Sequence, residues 1–581
     1  MGTLHRFKLV SALVLLVILS LVSCAKTTPT PTPVPPPSPA PNPTPTPTPA
    51  PVPTPAPKQA STPTGPYGTL RFAATTFGKE KFDPILVGDT EEASYLAPLY
   101  EWLFRAKGAE PAPGVVERWE MTADGLSYTY YIRKGTKFHN GEELKADDVK
   151  FSIDRMSLPI AMEAWPGRTI DHVEMLDDYS VRIYLKSRQF YLPQMMSMIN
   201  GDGSVLPKDY IERNGINYFE RNPIGSGPYM FVKWVPGDLV EYEAVGNHWR
   251  QTPFFKKLEI IVVPESTTRL ALLRTNEVDT TSVDVEDAAD LEKIGFKTLS
   301  LFGPQVSVAF LGVYDTRAAN EPTADIRVRQ ALSLAINRDE IGRNLFYGKM
   351  QSPMPPHLWL EQPGIDVAVW RESAAKLYTF NLDKARQLLK EAGYSNGFKN
   401  KFFTVPDPGA PTLGKMVEII AGYWSRLGIT TEIVPIDKGT FKPLARAASG
   451  PAGRGVDNSQ LGAAAIFAWS GSPQTVEAVS SVVLPGSSYP LLGGATMGQD
   501  ALVQAKLAQD LSTLSSSAET EDKRREATAK LIQLIVDTWI ELPIGHTPSL
   551  FSYGPRLEIT PPAWALTPIT YVEFIGHGTQ P

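Results

Sequence analysis

Apolar and polar positions alternate in several stretches of the chain, in the pattern expected of β-strands. Residues 127–133 are rich in aromatic and β-branched side chains and follow a turn at residues 123–125. Residues 180–185 place apolar side chains at every second position. Residues 258–263 are almost continuously apolar, which predicts a strand that is buried on both faces. The pattern therefore predicts a substantial β-sheet component.

Other stretches place their apolar side chains three and four residues apart, which predicts helices. Residues 328–336 and 382–392 each gather apolar side chains on one face, and Gly393 follows the second stretch as a natural helix-ending residue. Residues 522–540 form a long amphipathic stretch that becomes apolar toward its end. Because strands and helices mix without a regular strand–helix–strand repeat, we predict a multidomain α/β protein.

Beyond residue 66 the chain is long enough to require more than one hydrophobic core. Its composition is that of a soluble globular body, with 42% hydrophobic and 20% charged residues over the whole sequence. The net charge of −6 and the lack of a Lys/Arg-rich stripe argue against a nucleic-acid partner. Residues 463–469 have the length of a buried strand, and no run in this part of the sequence approaches transmembrane length.

The N-terminal residues have the pattern of an export signal rather than of a folded domain. A positively charged start at residues 5–8 precedes an apolar run at residues 9–22, which is shorter than the ~20 residues that span a bilayer. The sequence Leu-Val-Ser-Cys at residues 21–24 resembles the bacterial lipobox, so we expect cleavage after Ser23 and a diacylated Cys24. Cys24 is the single cysteine and has no disulfide partner within the chain. An ordinary cleaved signal with an incidental cysteine is the alternative.

Residues 27–66 consist largely of Thr-Pro and Ala-Pro repeats. Proline fixes φ and lacks an N–H donor, so we expect this tract to form neither helix nor sheet. An extended polyproline II chain rises about 3.1 Å per residue, so the tract reaches on the order of 100 Å. We interpret it as a spacer that lifts the folded body away from a membrane to which Cys24 is anchored. A docking site for a proline-reading domain is the alternative.

Four motif blocks follow one another along the rest of the chain. They are WEMTADGLSYTYYIRKGTKFHNG at residues 119–141, NPIGSGPY at residues 222–229, VRQALSLAINR at residues 328–338 and KARQLLKEAGY at residues 384–394. In this order they resemble the extracellular solute-binding proteins of family 5, the peptide- and nickel-binding components of ABC importers. The resemblance covers most of the sequence from residue 67 onward.

Most residues of these blocks are interpreted as scaffold. Gly225 and Gly227 flank a strand start, where a positive φ or a close backbone approach accounts for them. A phosphate-cradling loop is disfavoured because no Lys-Ser/Thr pair follows and the next residue is proline. His139 lies in a predicted turn, and Asp147 and Asp148 are predicted to cap the helix that follows them.

The resemblance implies an α/β fold of the type II periplasmic-binding-protein-like class, a clamshell whose two lobes enclose a ligand cleft and which carries an extra inserted domain. It predicts a discontinuous lobe I (residues 67–104, 222–315 and 540–581), an inserted domain II (residues 105–221) and a lobe III (residues 316–539). It also implies an extracytoplasmic monomer, in the periplasm or on the outer face of the membrane. Such a protein has no cofactor and no catalytic residue, and it delivers a peptide or another small solute to ABC permease subunits.

The sequence departs from the peptide-binding pattern at residues 467–473. Peptide-binding members carry a Trp-x-x-Asp-like segment here, whose carboxylate pairs with the α-ammonium group of the peptide. In this chain Ser472 occupies the matching position, and no acidic residue occurs between Asp457 and Glu477. A buried ammonium group without a carboxylate partner is costly, so the sequence disfavours peptides with a free N-terminus and favours a neutral, sugar-like or modified ligand.

The predicted ligand contacts are Trp469, Ser470 and Ser472, because binding clefts commonly combine an aromatic platform with a few polar groups. The alternative for Trp469 is an interior residue that ends a buried strand. Phe77, which follows the first predicted strand of the body, is a further candidate.

Metal binding and catalysis are disfavoured by the residues present. The 7 histidines are scattered, with no pair at ligand spacing in one helix and no second thiol, which argues against nickel or haem. Neither a His-Glu-x-x-His nor a Gly-x-Ser-x-Gly motif occurs. A secreted hydrolase with distant acidic residues and a surface adhesion or chaperone-like protein are the alternatives to a transport function.

Overall fold

A computed structural model describes residues 65–87, 90–107, 110–161, 165–198, 203–314, 316–358, 365–405, 412–436, 460–469, 499–560 and 575–578. These residues belong to one compact unit that spans residues 63–581. Cys24 and the proline-rich tract up to residue 64 lie outside the described residues, as do Ser470 and Ser472. What the sequence predicts for them therefore stays a prediction.

Strands and helices mix along the described residues without a regular alternation. The strands are β1 (Thr69–Ala74), β2 (Phe104–Lys107), β3 (Glu110–Pro113), β4 (Val116–Met121), β5 (Ser127–Ile132), β6 (Ile170–Asp177), β7 (Ser180–Leu185), β8 (Tyr229–Val235), β9 (Leu239–Ala244), β10 (Lys257–Val262), β11 (Thr280–Val283), β12 (Lys297–Phe310), β13 (Lys399–Thr404), β14 (Thr430–Pro435), β15 (Ala464–Trp469), β16 (Glu541–Tyr553), β17 (Leu557–Ile559) and β18 (Ile575–His577).

The helices are α1 (Thr90–Leu96), α2 (Ala146–Met156), α3 (Trp165–Thr169), α4 (Leu192–Met195), α5 (Lys208–Asn214), α6 (Ile216–Phe219), α7 (Ser266–Arg274), α8 (Val285–Lys293), α9 (Ile326–Leu334), α10 (Arg338–Asn344), α11 (Val367–Leu377), α12 (Leu382–Glu391), α13 (Leu413–Ser425), α14 (Gln499–Ser517) and α15 (Glu521–Thr538). None of these helices combines the length and the apolarity that crossing a membrane requires.

Ten strands form one mixed sheet in the order β14-β13-β15-β12-β16-β11-β1-β10-β9-β8. β1 lies inside this sheet and pairs in parallel with β10 on one side and with β11 on the other. Just before β1, the backbone N–H of Tyr67 donates to the carbonyl of Phe254 at 3.1 Å. The Tyr67 ring also stacks on His577 of β18, with a centroid distance of 3.8 Å. The first described residues are therefore tied to the last described strand.

Two long antiparallel strands, β12 and β16, run through the middle of the ten-stranded sheet. They pair along most of their lengths, with an irregular register between Phe302 and Gln305. On one side of this irregularity β12 also pairs with β15, and on the other side β16 pairs with β11. A Cβ at Gly303 would lie 2.0 Å from the carbonyl oxygen of Thr547, so the close approach of the two backbones requires glycine there. Both halves of the sheet share these two strands, which pass from one half to the other. We refer to β12 and β16 as the crossing strands.

Three large hydrophobic clusters pack on this framework. The first surrounds β1, β9 and β10 and includes Leu301 and Phe551 from one end of the crossing strands. The second contains Val306, Val308 and Leu542 from the other end, together with α9, α12, α13 and α15. The third is built on a separate four-stranded sheet, β4-β5-β7-β6, and on α2. The crossing strands thus contribute to two cores, and the domain boundaries drawn from the sequence stay a prediction.

The glycine-rich block at residues 222–229 is held against the turn that contains His139. The backbone N–H of Gly225 donates to His139 Nδ1 at 3.2 Å, and His139 Nε2 lies 2.9 Å from the carbonyl oxygen of Gly227. Burial lowers the pKa of His139 to about 4, which keeps the ring neutral for these two bonds. A Cβ at Gly225 would lie 2.0 Å from the carbonyl oxygen of Leu99. The close backbone approach predicted for these glycines is therefore confirmed.

Most predicted elements lie where the pattern placed them, with two corrections. β5, β7, α9 and α12 confirm the predicted strands and helices, and Gly393 follows α12 with a φ of 90°. In β10 only Leu258 and Ile260 are fully buried, so the prediction of burial on both faces is wrong: the other face of this strand stays partly exposed. Helix α15 ends at Thr538 rather than at residue 540, because Trp539 adopts a left-handed φ of 50°.

The start of α2 corrects one further detail. Asp148, in the first turn, accepts hydrogen bonds from the backbone N–H groups of Lys145 at 3.0 Å and Lys208 at 2.9 Å, as the capping prediction requires. Asp147 does not cap the helix and instead lies 3.7 Å from the Nζ atom of Lys208. One of the two predicted capping residues is therefore confirmed.

Candidate functional site

Buried polar side chains lie next to the register irregularity between the crossing strands, β12 and β16. Gln305 on β12 lies opposite His546 on β16, and the neighbouring strand β15 places Trp469 opposite Gln305. Directly opposed residues of antiparallel strands project to the same face, so Gln305 and His546 share a face. Ser307, two residues along β12, lies on that face as well. The exposed fraction of Gln305, Ser307 and His546 is 2% or less, so all three are withdrawn from solvent.

The segment at residues 351–358 closes this group of side chains from one side. The backbone N–H of Met354 donates to Gln305 Oε1 at 3.0 Å, and Gln305 Nε2 donates to the carbonyl of Pro355 at 3.4 Å. Gln351 and His546 exchange two backbone hydrogen bonds of 3.0 Å. His357, near the end of the segment, has a φ of 61°, an uncommon backbone conformation for a residue other than glycine. Such strained positions are frequent at ligand-binding sites.

A buried contact between an imidazole and a carboxylate holds the segment to β16. His357 Nε2 lies 2.9 Å from Glu541 Oε2, and the two residues are 3% and 2% exposed. A carboxylate in the interior is strongly destabilising unless it is paired and hydrogen-bonded, so this contact fixes both partners. We refer to Gln305, Ser307, His357, Glu541 and His546 together as the crossing-strand cluster.

His546 provides an open hydrogen-bonding position in this cluster. Burial lowers the pKa of its ring to about 4; a hydrogen bond to the Gly303 carbonyl opposes this shift, and the charge of Arg371 adds to it. Nε2 has no hydrogen-bond partner in the described residues, so Nδ1 donates to Gly303 and Nε2 is left as a neutral acceptor. The hydroxyl of Ser307 is also without a partner among the described residues.

Two buried arginines fix the turn from α15 into β16. Nε and Nη2 of Arg329 donate to the carbonyl of Thr538 at 3.1 and 2.7 Å. Nε of Arg338 donates to the carbonyl of Pro543 at 2.7 Å. Burial lowers the pKa of Arg338 to about 10, which leaves the guanidinium charged at neutral pH. Both arginines belong to the block at residues 328–338, so this motif positions the strand that carries Glu541.

The structure describes two of the four predicted ligand contacts, Trp469 by its backbone only. Trp469 ends β15, and its backbone lies beside Gln305, whereas its side chain is outside the described residues, as are Ser470 and Ser472. Phe77 is 2% exposed and packs in the core with its ring centroid 5.6 Å from that of Tyr95. The fold therefore brings Trp469 to the cluster but not Phe77, and ligand contact by any of the four stays a prediction.

Sequence reasoning missed all five residues of the crossing-strand cluster. One signal was available, because Gln305 comes directly before the alternating apolar positions 306, 308 and 310, and His546 directly after those at 542 and 544. A buried polar side chain in such a stretch requires a hydrogen-bonding partner and so marks a structural or functional network. The pattern could not indicate which partner each residue would find, because the pairing joins strands far apart in the sequence.

The cluster offers two hydrogen-bonding atoms without a partner among the described residues, His546 Nε2 and the Ser307 hydroxyl. Strand β15 places the backbone of Trp469 beside them. Within the described ranges, no three His, Cys, Asp or Glu side chains gather into a potential metal site. The expectation of a protein without cofactor or metal stays a prediction.

Comparisons with known proteins identify similar chains. Heme-binding protein A of Haemophilus influenzae is 27% identical over 532 residues, which cover 85% of this chain and 89% of that protein. The dipeptide-binding protein of Escherichia coli is 29% identical over 401 residues, covering 63% and 72%. Among solved structures, the ABC transporter substrate-binding protein CtaP of Listeria monocytogenes matches with a TM-score of 0.72 at 20% identity, covering 88% and 99%. This likeness confirms the predicted type II periplasmic-binding-protein-like fold.

The family assignment rests on a match over most of the folded body. The family described as bacterial extracellular solute-binding proteins, family 5, middle part, matches residues 110–479. All four motif blocks lie inside this range, so the resemblance recognised from them is confirmed. The chain belongs to the family 5 bacterial extracellular solute-binding proteins.

Proposed function

We propose that this chain is the substrate-binding component of an ABC importer, which captures an oligopeptide-like or other small solute between lobe I and lobe III and passes it to permease subunits. The observation that carries the proposal is the position of the crossing-strand cluster, on the two strands that both halves of the main sheet share. Membership of a solute-binding family supports it, because such proteins bind solutes and are not enzymes.

Two strands shared by two cores provide a hinge. Closure of two rigid bodies around a solute is a two-state equilibrium, and a solute that contacts both bodies shifts it toward the closed state. The irregular register between Phe302 and Gln305 interrupts the hydrogen-bond ladder at the crossing, where small backbone changes can be absorbed. The cluster lies directly beside this irregularity, so binding and bending occur at the same place.

The names of the relatives do not settle the ligand. Heme-binding protein A and the dipeptide-binding protein are similar to this chain to nearly the same degree, although they are named for unlike ligands. The ligand class we propose therefore rests on the sequence, in which Ser472 replaces the carboxylate of the peptide-binding pattern. The proposed ligand is a small solute without a free α-ammonium group, such as a blocked peptide or a sugar-like molecule, in contact with Trp469, Ser470 and Ser472.

The proposed anchor is a diacyl lipid on Cys24, with the proline-rich tract as spacer and the folded body as a monomer on the extracytoplasmic side. The lipobox-like residues before Cys24 support this proposal. Cells that express the full chain should incorporate labelled fatty acid into it and retain it in the membrane fraction. A Cys24→Ser variant should lose the label, and persistent labelling of that variant would contradict the anchor.

The ligand is tested with the full chain carrying Cys24→Ser. Small molecules that co-purify are identified by mass spectrometry, and thermal unfolding is followed with free dipeptides, the same dipeptides N-acetylated, and a panel of disaccharides. Saturating ligand at about 100 times its Kd stabilises the folded state by about 2.7 kcal/mol, which raises Tm measurably.

We expect a shift in Tm with N-acetylated peptides or sugars and none with free dipeptides. A larger shift with free dipeptides contradicts the ligand class, and turnover of a compound without any binding contradicts the transport function.

A further inference from the structure

A second contact between distant parts of the chain lies away from the crossing strands. Arg188 and Tyr191 follow β7, whereas Ser517 ends α14 and Glu521 and Arg524 begin α15. The Arg524 guanidinium carbon lies 3.4 Å from the centroid of the Tyr191 ring, and the Tyr191 hydroxyl donates to Glu521. Arg188 Nη1 donates to the carbonyl of Ser517 at 3.3 Å. We refer to these five residues as the Tyr191 contact.

The centre of the Tyr191 contact is withdrawn from solvent. Tyr191 is 9% exposed and Arg524 is 6% exposed. Burial raises the pKa of Tyr191, so its hydroxyl remains protonated at neutral pH and donates to the carboxylate of Glu521. A guanidinium over an aromatic ring gains most where water is excluded, and a hydrogen bond to a carboxylate is stronger than one between neutral groups. The interaction free energy of the Tyr191 contact is therefore larger than that of an exposed ion pair.

The two sides of the Tyr191 contact belong to different hydrophobic cores. Leu185 and Leu192, on either side of Tyr191 in the sequence, pack in the cluster built on the four-stranded sheet. Leu531 and Ile535 of α15 pack in the cluster that contains one end of the crossing strands. A movement of one core relative to the other therefore changes the distances within the contact.

Each side is also attached firmly to its own core. Arg188 Nε donates to the carbonyl of Asp124, in the hairpin between β4 and β5, at 2.7 Å. On the other side, the buried hydroxyls of Ser515 and Thr528 lie 2.8 Å apart and join α14 to α15. Because neither side can follow the other, a separation of a few ångströms breaks the ring contact and both hydrogen bonds together.

We propose that the Tyr191 contact is a latch that holds the four-stranded sheet region against lobe III and favours the closed state of the protein. This proposal rests on the proposed function, in which the closed state is the one that holds the solute. The Tyr191 contact itself forms without a ligand. A protein that is closed for a smaller fraction of the time binds its ligand more weakly in proportion. Ligand affinity then depends partly on residues remote from the crossing-strand cluster. Loss of the latch should lower the closed fraction about tenfold.

The test uses the ligand-free full chain with Cys24→Ser. Arg524→Met removes the charge over the ring, and Tyr191→Phe removes only the hydroxyl. Lys530→Met is the matched control, because Lys530 lies on the same helix and makes an exposed pair with Glu526 at 2.6 Å. Small-angle X-ray scattering gives the radius of gyration, and hydrogen exchange gives the protection of backbone amides at residues 188–191 and 517–524.

We expect Arg524→Met, and to a smaller extent Tyr191→Phe, to enlarge the radius of gyration and to speed amide exchange about tenfold in both segments. Lys530→Met should change neither quantity. An unchanged radius and unchanged exchange in both latch variants overturn the proposal. If Arg524→Met does not fold, the double variant Tyr191→Phe/Glu521→Gln is measured in its place, with the same expected increases in radius of gyration and amide exchange.

The latch proposal and the proposed function can be contradicted independently of each other. The scattering and exchange measurements contain no ligand, so they report on the latch even when every compound in the thermal panel fails to bind. Conversely, a solute that stabilises the parent chain and both latch variants equally, with an unchanged radius of gyration, supports binding and excludes the latch.

Discussion

At the scale of single residues, the polar side chains of the crossing-strand cluster are the most constrained feature of the molecule. His357 and Glu541 are both almost fully buried and pair at 2.9 Å. Breaking a buried hydrogen bond to a carboxylate leaves a polar group in the interior without its partner, which costs more than the loss of an exposed ion pair. The cluster should therefore matter for stability as well as for binding.

Glu541→Gln should lower the free energy of unfolding by about 2 kcal/mol, because the buried His357 loses its hydrogen bond to a carboxylate. Urea denaturation followed by tryptophan fluorescence measures the change. Glu526→Gln is the control, because Glu526 makes an exposed i,i+4 pair with Lys530 and should cost about 0.5 kcal/mol or less. Equal effects of the two substitutions would show that the buried pair is not important for stability.

His546 should make stability depend on pH. Its pKa is about 4 in the folded state and about 6.5 in an unfolded chain, so only the unfolded state gains a proton between these values. The stabilisation is complete above about pH 6.5 and is lost as the pH falls toward about 4. His546→Gln should remove about 2 kcal/mol of the difference between unfolding free energies at about pH 7 and about pH 5.

The control for this measurement is His172→Gln, since His172 lies exposed on β6 and pairs with Asp171 at the surface. The difference between the parent chain and His546→Gln isolates one histidine from the other titrating groups. A parent chain and a His546→Gln variant with the same dependence on pH would contradict a neutral, buried His546.

At the scale of elements, β12 and β16 determine how the halves of the main sheet are joined. Their own residues specify the strands, but the irregularity at the crossing depends on Gly303, whose missing Cβ admits the carbonyl of Thr547. A glycine within a strand often marks a bulge or a close backbone approach.

Gly303→Ala should destabilise the protein by about 2–4 kcal/mol, because the new methyl group meets backbone, which cannot move aside as a side chain can. Gly246→Ala is the matched control, since a Cβ there has no atom within 4 Å. Urea midpoints of the two variants measure the effect. If both variants unfold at the midpoint of the parent chain, the crossing does not require glycine.

Secondary structure could be predicted well from the sequence, whereas the assembly of the candidate site could not. The periodicity of apolar residues located β5, β7 and α12, because the period of a strand or helix is local information. It failed for the end of α15, where Trp539 adopts a left-handed conformation that no local pattern indicates. It also failed for Gln305 and His546, which become neighbours only through long-range pairing.

At the scale of the whole molecule, three cores are joined by two shared strands and by the Tyr191 contact. The motif blocks identified the family from the sequence because they form a turn, a close backbone approach and buried arginine contacts that this fold needs. The ligand is not fixed by these blocks, since they support the scaffold. We propose that its recognition depends on the stretch after β15, where this sequence departs from the peptide-binding pattern.

Ser472→Asp should restore binding of peptides with a free N-terminus, because the new carboxylate can pair with an α-ammonium group. A gain of about tenfold in affinity for a free dipeptide over its N-acetylated form is expected, as for one buried charge-assisted hydrogen bond. Isothermal titration calorimetry measures it, and Ser480→Asp, further along the same stretch, is the control. Identical preferences of the parent chain and Ser472→Asp would place the ammonium site elsewhere.

The position of β1 has a mechanical consequence. A spacer attached before residue 67 would transmit any pull on the body into the amino end of an inner strand that is bonded on both sides. A pull along β1 loads its hydrogen bonds to β10 and β11 in shear, so that they must yield together, whereas a pull across an edge strand opens the bonds one after another. The stacking of Tyr67 on His577 adds a first point of resistance before the strand is loaded. If Cys24 anchors the chain as proposed, we expect the sheet to stay intact under drag and collision.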